Sequence, residues 1–148
     1  MRSYVLDAGV AAKWFLPPTT EPLSSEALAL LQRYTKGQFN FVVPDLFFAE
    51  FANVLWKAER YGRCDRAVAD AAIQRIVSSG FPSSPSSALI EPAMPIARAY
   101  GRTVYDSLYV ALAIQTKTQL ITADERLVNS SAGRLPVIWL GAVHSSTQ

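Results

Sequence analysis

The chain has 148 residues, 50% of them hydrophobic, and its formal net charge of +2 is too small to indicate a nucleic-acid partner by itself. This composition supports one packed domain and excludes a disordered chain, while the single Cys64 and the single histidine exclude an internal disulfide and a Cys/His zinc site. We expect a cytoplasmic protein without a membrane segment, because no apolar run approaches the ~18 residues of a membrane span and no secretory signal opens the chain.

The first predicted element is a short strand that runs directly into an acid. Residues 4–6 are apolar and β-prone, which predicts a strand buried on both faces. Small residues after Asp7 predict a helix that ends at Leu16, before two prolines, and Lys13 in this helix is interpreted as a solvated lysine. Asp7 is therefore expected at the carboxyl end of a central parallel strand, the edge at which open α/β sheets bind ligands.

Three helices and one strand are predicted in the middle of the chain. Apolar residues at helical spacing and glycine stops predict helices over residues 22–36, 45–61 and 65–79, and a strand over 39–43. Asp45 and Asp65 are expected to cap the last two helices. A group of basic residues between these helices indicates a solvated corner, with a nucleic-acid or partner surface as the alternative: Lys57, Arg60, Arg63 and Arg66.

The helix over residues 45–61 has an apolar surface wider than one packing stripe. Phe48 and Trp56 lie off the stripe expected to face the core, which predicts a second burial partner. Together with Trp14 in the first helix, they predict a homodimer surface. Glu50 lies among these aromatic residues, so it either faces solvent or reaches into a polar site.

The next segment is predicted as a loop followed by two helices. Residues 81–87 are rich in serine and proline, which is typical of a loop. A helix over residues 91–100 is expected to carry Pro95 within its first turn. Asp106 lies in the first turn of the following helix, where an acid ordinarily interacts with the helix dipole. Taken alone, Asp106 indicates that structural role.

The last segment has the same pattern as the first: a β-prone run, an acid and a short helix. A β-prone run over residues 119–122 leads to Asp124, and a short helix follows. A final strand over residues 134–140 is edge-like because it contains a proline. We expect a single domain over residues 1–141 and a disordered tail over residues 142–148.

Four acids stand apart from the others, because each lies at the end of a strand or near the start of a helix: Asp7, Glu50, Asp106 and Asp124. In a three-layer α/β fold these positions share one edge of the sheet. Like charges at ~4 Å repel by about 4 kcal/mol at an effective dielectric constant near 20, so a convergent cluster requires a cation. Carboxylates are the ligands that Mg²⁺ and Mn²⁺ prefer, and such an ion can activate water against a phosphodiester.

The four acids lie in the stretches 4–8 (YVLDA), 49–55 (AEFANVL), 103–113 (TVYDSLYVALA) and 120–127 (LITADERL). In this order and spacing, these stretches resemble the PIN-domain ribonucleases, and most closely the VapC-type toxins of bacterial toxin–antitoxin pairs. The resemblance implies an α/β fold of three layers, with a central, mostly parallel sheet flanked by helices. It also implies an RNA endonuclease dependent on Mg²⁺ or Mn²⁺, and a homodimer neutralised by a small VapB-type antitoxin.

The resemblance also assigns roles to individual side chains. Asp7 and Asp106 resemble the principal metal ligands, and Glu50 resembles the acid that binds metal or orients water. Asp124 resembles the fourth acid, and Thr122 matches a hydroxyl that tethers a carboxylate. Two positions depart from the commonest pattern without removing a ligand: Gly9, where serine is frequent, and Ser107, where alanine is frequent.

The leading hypothesis is a metal-dependent RNA endonuclease in which a metal-activated water hydrolyses the phosphodiester bond. The alternative is a non-catalytic acidic α/β module that binds Mg²⁺ or a partner, similar at its sheet edge to a phospho-receiver domain. A receiver domain would have adjacent acids after its first strand and a lysine at a late strand end. This chain has Asp7 alone and then Asp124 at those positions.

Overall fold

Five parallel strands form one sheet in the computed structural model, which describes residues 2–131 and 133–143. The strands are β1 (Ser3–Leu6), β2 (Asn40–Pro44), β3 (Ser83–Ser84), β4 (Gln119–Thr122) and β5 (Val137–Trp139). Their order is β3-β2-β1-β4-β5, and every neighbouring pair is parallel. The first strand is therefore central, as predicted, and its carboxyl end lies beside that of β4.

Seven α-helices in the described residues flank this sheet: α1 (Ala8–Ala12), α2 (Ser24–Thr35), α3 (Leu46–Arg60), α4 (Arg66–Val77), α5 (Ile90–Tyr100), α6 (Val104–Gln115) and α7 (Glu125–Ser131). The central sheet flanked by helices is the predicted three-layer α/β fold. On the side of the first strand's carboxyl end, α1 packs against α3, and α3 packs against α4.

The most enclosed helix is α6, in which residues 107–113 are all buried. A helix that is apolar on all sides must be covered on all sides, and α6 packs against β1, β2 and β4 as well as α5. Its first turn begins at Thr103, whose hydroxyl accepts a hydrogen bond from the Asp106 amide at 3.0 Å. Packing of α6 thereby sets the position of Asp106 relative to the strand ends.

Two predicted elements differ from the structure around the sheet. The first helix ends at Ala12 rather than Leu16, and the chain continues in turns before the prolines. The predicted loop over residues 81–87 contains β3, because the Val43 amide donates to the carbonyl of Pro82 and the Asp45 amide donates to that of Ser84. Serine and proline composition does not predict this strand, since its pairing depends on a partner distant in the chain.

The prediction that Pro95 lies in the first turn of its helix is wrong. Pro95 lies inside α5, beyond its first turn. Proline cannot donate the hydrogen bond that would reach the carbonyl of Glu91. Both residues are exposed, so water can satisfy that carbonyl.

The two predicted caps have different outcomes. Asp65 caps α4 by accepting a hydrogen bond from the Val68 amide at 2.9 Å. Asp45 makes no capping bond to α3; its Oδ1 instead accepts from the hydroxyl of Ser86 at 2.5 Å and from the Ser86 amide at 2.9 Å. These bonds tie the segment after β3 to the start of α3, and they hold the pKa of Asp45 below its ordinary value.

Two side chains of the segment after β1, Lys13 and Trp14, form hydrogen bonds within this chain rather than lying free in solvent or in a dimer surface. Lys13 is 7% exposed, and its Nζ donates to the carbonyl of Pro22 at 2.7 Å and to Glu21 at 3.4 Å, so the solvated interpretation is wrong. Trp14 donates from Nε1 to the carbonyl of Ala27 at 2.9 Å and packs within this chain. Of the three aromatic residues proposed for a dimer surface, Trp56 is the most open, at 52% exposure.

The packed chain continues past the predicted domain boundary at residue 141. A short 3₁₀-helix spans Leu140–Ala142, and Val143 is only 4% exposed. The first two residues of the predicted tail are therefore packed, and residues 144–148 lie outside the described part of the chain. Among the helices that the structure describes, none is long and apolar enough to cross a membrane.

Candidate active site

Asp7 is held at the carboxyl end of β1 by two donors. Its Oδ1 accepts from the Gly9 amide at 3.3 Å, which caps α1, and its Oδ2 accepts from the Thr122 hydroxyl at 2.6 Å. Thr122 is fully buried at the end of β4, and its hydroxyl also accepts from the Asp124 amide at 3.1 Å. The expected tether between Thr122 and a carboxylate is present, and it connects the ends of neighbouring strands.

Burial raises the pKa of Asp7 above its ordinary value, although the Thr122 and Gly9 hydrogen bonds oppose this shift. The negative charges of Asp106 and Asp124 raise the pKa further. Three of the four predicted acids are therefore close enough to influence one another electrostatically.

Glu50 faces the same edge from α3. It lines a groove of about 410 Å³ together with Asp7, and Asn53 and Lys57 continue that groove along the helix. Burial is the main cause that raises the pKa of Glu50, and the charges of Asp7 and Asp106 add to it, while the nearby Tyr109 hydroxyl opposes it. Glu50 Oε1 is buried without a hydrogen-bond partner. Glu50 was expected either to face solvent or to reach into a polar site, and in the structure it reaches into a polar site.

Tyr109 was not identified from the sequence. Its ring belongs to the buried face of α6, and its hydroxyl is buried beside Glu50 without a partner at full hydrogen-bond geometry. Burial raises the pKa of Tyr109, and the charges of Asp7 and Glu50 raise it further. A tyrosine at helical spacing ordinarily indicates core, and only the arrangement of α3 and α6 brings its hydroxyl to the acids.

Arg102 joins the other two acids. Its Nη2 lies 3.0 Å from Asp124 Oδ2 and 3.3 Å from Asp106 Oδ2, and the three side chains are between 20% and 34% exposed. Sequence reasoning missed this arginine. The spacing of four residues between Arg102 and Asp106 could have indicated their pair, but nothing local indicates the bond to Asp124.

The sequence pattern of the PIN domain matches residues 4–131 of this chain. The chain belongs to the PIN domain family. It is 30% identical over 105 residues to Exonuclease VapC9 of Pyrobaculum aerophilum, a match that covers 71% of this chain and 77% of that protein. The crystal structure of PAE2754 from the same organism has a TM-score of 0.69 to this PIN domain at 22% identity, covering 99% of this chain and 95% of that one. The likeness to PAE2754 supports the fold.

The donor atoms of this PIN domain fit a hard divalent cation in their chemistry. The acids offer only oxygen ligands, and Glu50 Oε1 has no other partner. Their present placement does not complete such a site: within residues 2–131 and 133–143, no three Asp, Glu, His or Cys side chains are grouped closely enough to hold an ion. Asp106 and Asp124 are instead directed to Arg102, which supplies the positive charge that the sequence analysis assigned to a metal.

Proposed function

We propose that this PIN domain is a metal-dependent RNA endonuclease, the toxin component of a VapC-type toxin–antitoxin pair. The observation that carries the proposal is electrostatic proximity at one sheet edge: the charges of Asp106 and Asp124 raise the pKa of Asp7, and those of Asp7 and Asp106 raise the pKa of Glu50. Membership of the PIN family and the similarity to VapC9 support a nuclease of the VapC type.

In this proposal the four acids hold Mg²⁺ or Mn²⁺, which supplies positive charge to the phosphodiester and acidifies water when bound. Asp7 is the fixed ligand, because Thr122 and the Gly9 amide hold both of its oxygens. Asp106 and Asp124 would supply further oxygen ligands if they turned away from Arg102, with which both are paired in the structure. The guanidinium released from them is then free to contact a phosphate oxygen, which it binds in the same geometry as a carboxylate.

Glu50 is assigned the handling of the attacking water. Its buried Oε1 can accept a hydrogen bond from water, and its raised pKa makes the carboxylate a stronger proton acceptor than an ordinary glutamate. The groove that continues past Asn53 to Lys57 offers an amide and a cation to the sugar–phosphate backbone. Hydrolysis by water leaves a 5′-phosphate on the downstream product.

The same proposal includes protein partners and a place of action. A homodimer is assigned to the exposed part of α3 around Trp56, where the Arg60 guanidinium lies 5.4 Å from the indole centroid. A VapB-type antitoxin binds the same protein in the cytoplasm. Light scattering of the purified chain at micromolar concentration should report twice the 16.2 kDa monomer mass, and Trp56→Glu should restore the monomer.

The test uses a circular single-stranded RNA, with Mg²⁺, with Mn²⁺ and with a chelator. An endonuclease opens the circle in the presence of metal, whereas an exonuclease, the activity in the name of VapC9, needs a free end and leaves the circle closed. Asp7→Asn and Asp106→Asn should abolish cutting. Asp70→Asn is the matched control, because Asp70 is 72% exposed on α4 and pairs only with Arg66. Cutting that persists in both site variants refutes the assignment.

One observation favours the alternative of a non-catalytic module. Arg102 pairs with both Asp106 and Asp124 and offsets one of their two negative charges, which reduces their need for a metal in the folded protein. In that case no RNA is cut, whether or not Mg²⁺ or Mn²⁺ raises the melting temperature. Metal-dependent cutting that is lost in Asp7→Asn supports the nuclease.

A further inference from the structure

We propose that a second pocket beside Asp124 is a subsite for one nucleobase of the RNA, an inference that rests on the proposed function. The pocket has a volume of about 420 Å³, within the about 300–1,000 Å³ typical of ligand sites. Its apolar walls include Leu23, Ala123 and Trp139, and Asp124 belongs both to this pocket and to the acid cluster. A base bound here is therefore adjacent to the phosphate at the acids.

Trp139 is held in an unusual position at the end of β5. Its indole lies so close to the backbone of Gly141 that a Cβ there would be only 2.4–2.8 Å from three ring carbons. Its Nε1 is buried and has no hydrogen-bond partner among the residues that the structure describes, which is unfavourable by itself. Stability alone therefore does not explain the position of this ring. Proteins commonly stack nucleobases on aromatic side chains.

Leu23, another residue that lines the pocket, has a second unfavourable feature. Leu23 has a left-handed backbone with φ of 61°, which a branched apolar residue rarely adopts. Lys13 holds this turn by donating to the carbonyl of Pro22 at 2.7 Å. Strained backbone that is stabilised by its surroundings is concentrated at functional sites, and here it places Leu23 in the lining of the pocket that also contains Trp139.

The charges around the pocket favour a flat neutral ring over a phosphate. Asp124 and Glu125 both line it, and the charge of Lys13 is paired with Glu21 at 3.4 Å. Two carboxylates and two cationic side chains line the pocket, so it has no excess positive charge to select an anion, whereas a base would meet its apolar side chains. Arg126 is exposed and can contact the backbone of the same nucleotide.

The binding test uses single-stranded RNA labelled with a fluorophore, in chelator so that it is not cut, with anisotropy as the readout. Trp139→Leu should raise the dissociation constant about 5- to 150-fold, the range expected for loss of one stacked base. Trp139→Phe keeps a ring and should retain most of the affinity. Gly141→Ala should weaken binding by displacing the indole, and Tyr61→Leu, at a 71% exposed ring elsewhere, should bind like the wild type.

A set of RNAs with one abasic nucleotide at successive positions separates stacking from misfolding. One abasic position should weaken binding to the wild type, and the same position should have no effect on Trp139→Leu. If every abasic RNA affects both proteins equally, or if folded Trp139→Leu binds normally, the subsite is refuted. If the wild type still cuts circular RNA in the presence of metal, only the subsite is refuted and the nuclease function is supported. If the wild type neither binds nor cuts any RNA, the subsite and the nuclease function are both rejected.

Discussion

The hydrogen bond from Thr122 to Asp7 is the contact that holds the acid site together, and Thr122→Val removes it without changing the side chain's shape. The hydroxyl is fully buried and makes two bonds: it donates to Asp7 Oδ2 at 2.6 Å and accepts from the Asp124 amide at 3.1 Å. Valine fills the same space, so no cavity forms. The variant therefore isolates the loss of these bonds.

The expected magnitude follows from the type of each bond. A hydrogen bond to a charged group contributes about 1.5–3 kcal/mol, and the partly buried Asp124 amide that loses its acceptor adds about 1 kcal/mol. We therefore expect a loss of about 3 kcal/mol in the free energy of unfolding at neutral pH. For a domain of this size, this corresponds to a fall in melting temperature of roughly 6–12 °C.

The loss should depend on pH with a definite sign. The Thr122 hydroxyl lowers the pKa of Asp7, so it stabilises the ionised carboxylate more than the protonated one. Its contribution is present above the folded-state pKa of Asp7 and declines as the pH falls through it. Thr122→Val should therefore be more destabilising at about pH 7 than at about pH 4.

The assay is urea unfolding followed by circular dichroism at both pH values, without metal. Thr122→Ser keeps the hydroxyl and is the matched control; it should lose only the about 1 kcal/mol of a deleted methyl group, equally at both pH values. If Thr122→Val loses no more unfolding free energy than Thr122→Ser, or if its loss is the same at both pH values, Asp7 is not anchored through this hydrogen bond.

Three further predictions concern charge. Asp7→Asn should raise the metal-free melting temperature at neutral pH, because the carboxylate whose pKa is raised by burial is then absent, and Mg²⁺ should no longer stabilise the variant. In calorimetric scans, Arg102→Gln should lose about 1 kcal/mol of unfolding free energy without metal, and Mg²⁺ should stabilise it more than it stabilises the wild type. Arg66→Gln, which breaks an exposed ion pair, is the control. Equal stabilisation of the two variants by Mg²⁺ would contradict the prediction. Asp45→Ala should lower the urea midpoint by the equivalent of about 1 kcal/mol at neutral pH. That difference should vanish as the pH falls through the lowered pKa of Asp45.

Arg102 changes the interpretation of the acid cluster. Four acids at one edge predict a metal for stability, whereas in the structure a guanidinium from the same chain pairs with two of them and offsets one of their two charges. Under the proposed function, this arrangement lets the protein fold before metal and substrate bind. Arg102 would then stay in place and bind a phosphate instead of a carboxylate.

The fold was predictable where local pattern and global position agree. Apolar runs that end in Asp7 and before Asp124 indicate buried parallel strands, and β1 and β4 are adjacent and parallel in the sheet. Glycine stops and apolar spacing placed the helices within a few residues. The short β3 was missed, because a strand of two residues has no period to detect, and its bonds depend on β2.

The amino-acid sequence by itself determined the family, the parallel sheet and the four acids, because strand ends and helix starts carry local signals that survive without coordinates. The tertiary structure alone decided what surrounds those acids. Arg102 reaches Asp124 across 22 residues, Thr122 reaches Asp7 across 115, and the Tyr109 hydroxyl comes beside Glu50 only through the packing of α3 and α6. Such partners depend on three-dimensional proximity between distant segments, and no period or propensity in a single chain encodes that proximity directly.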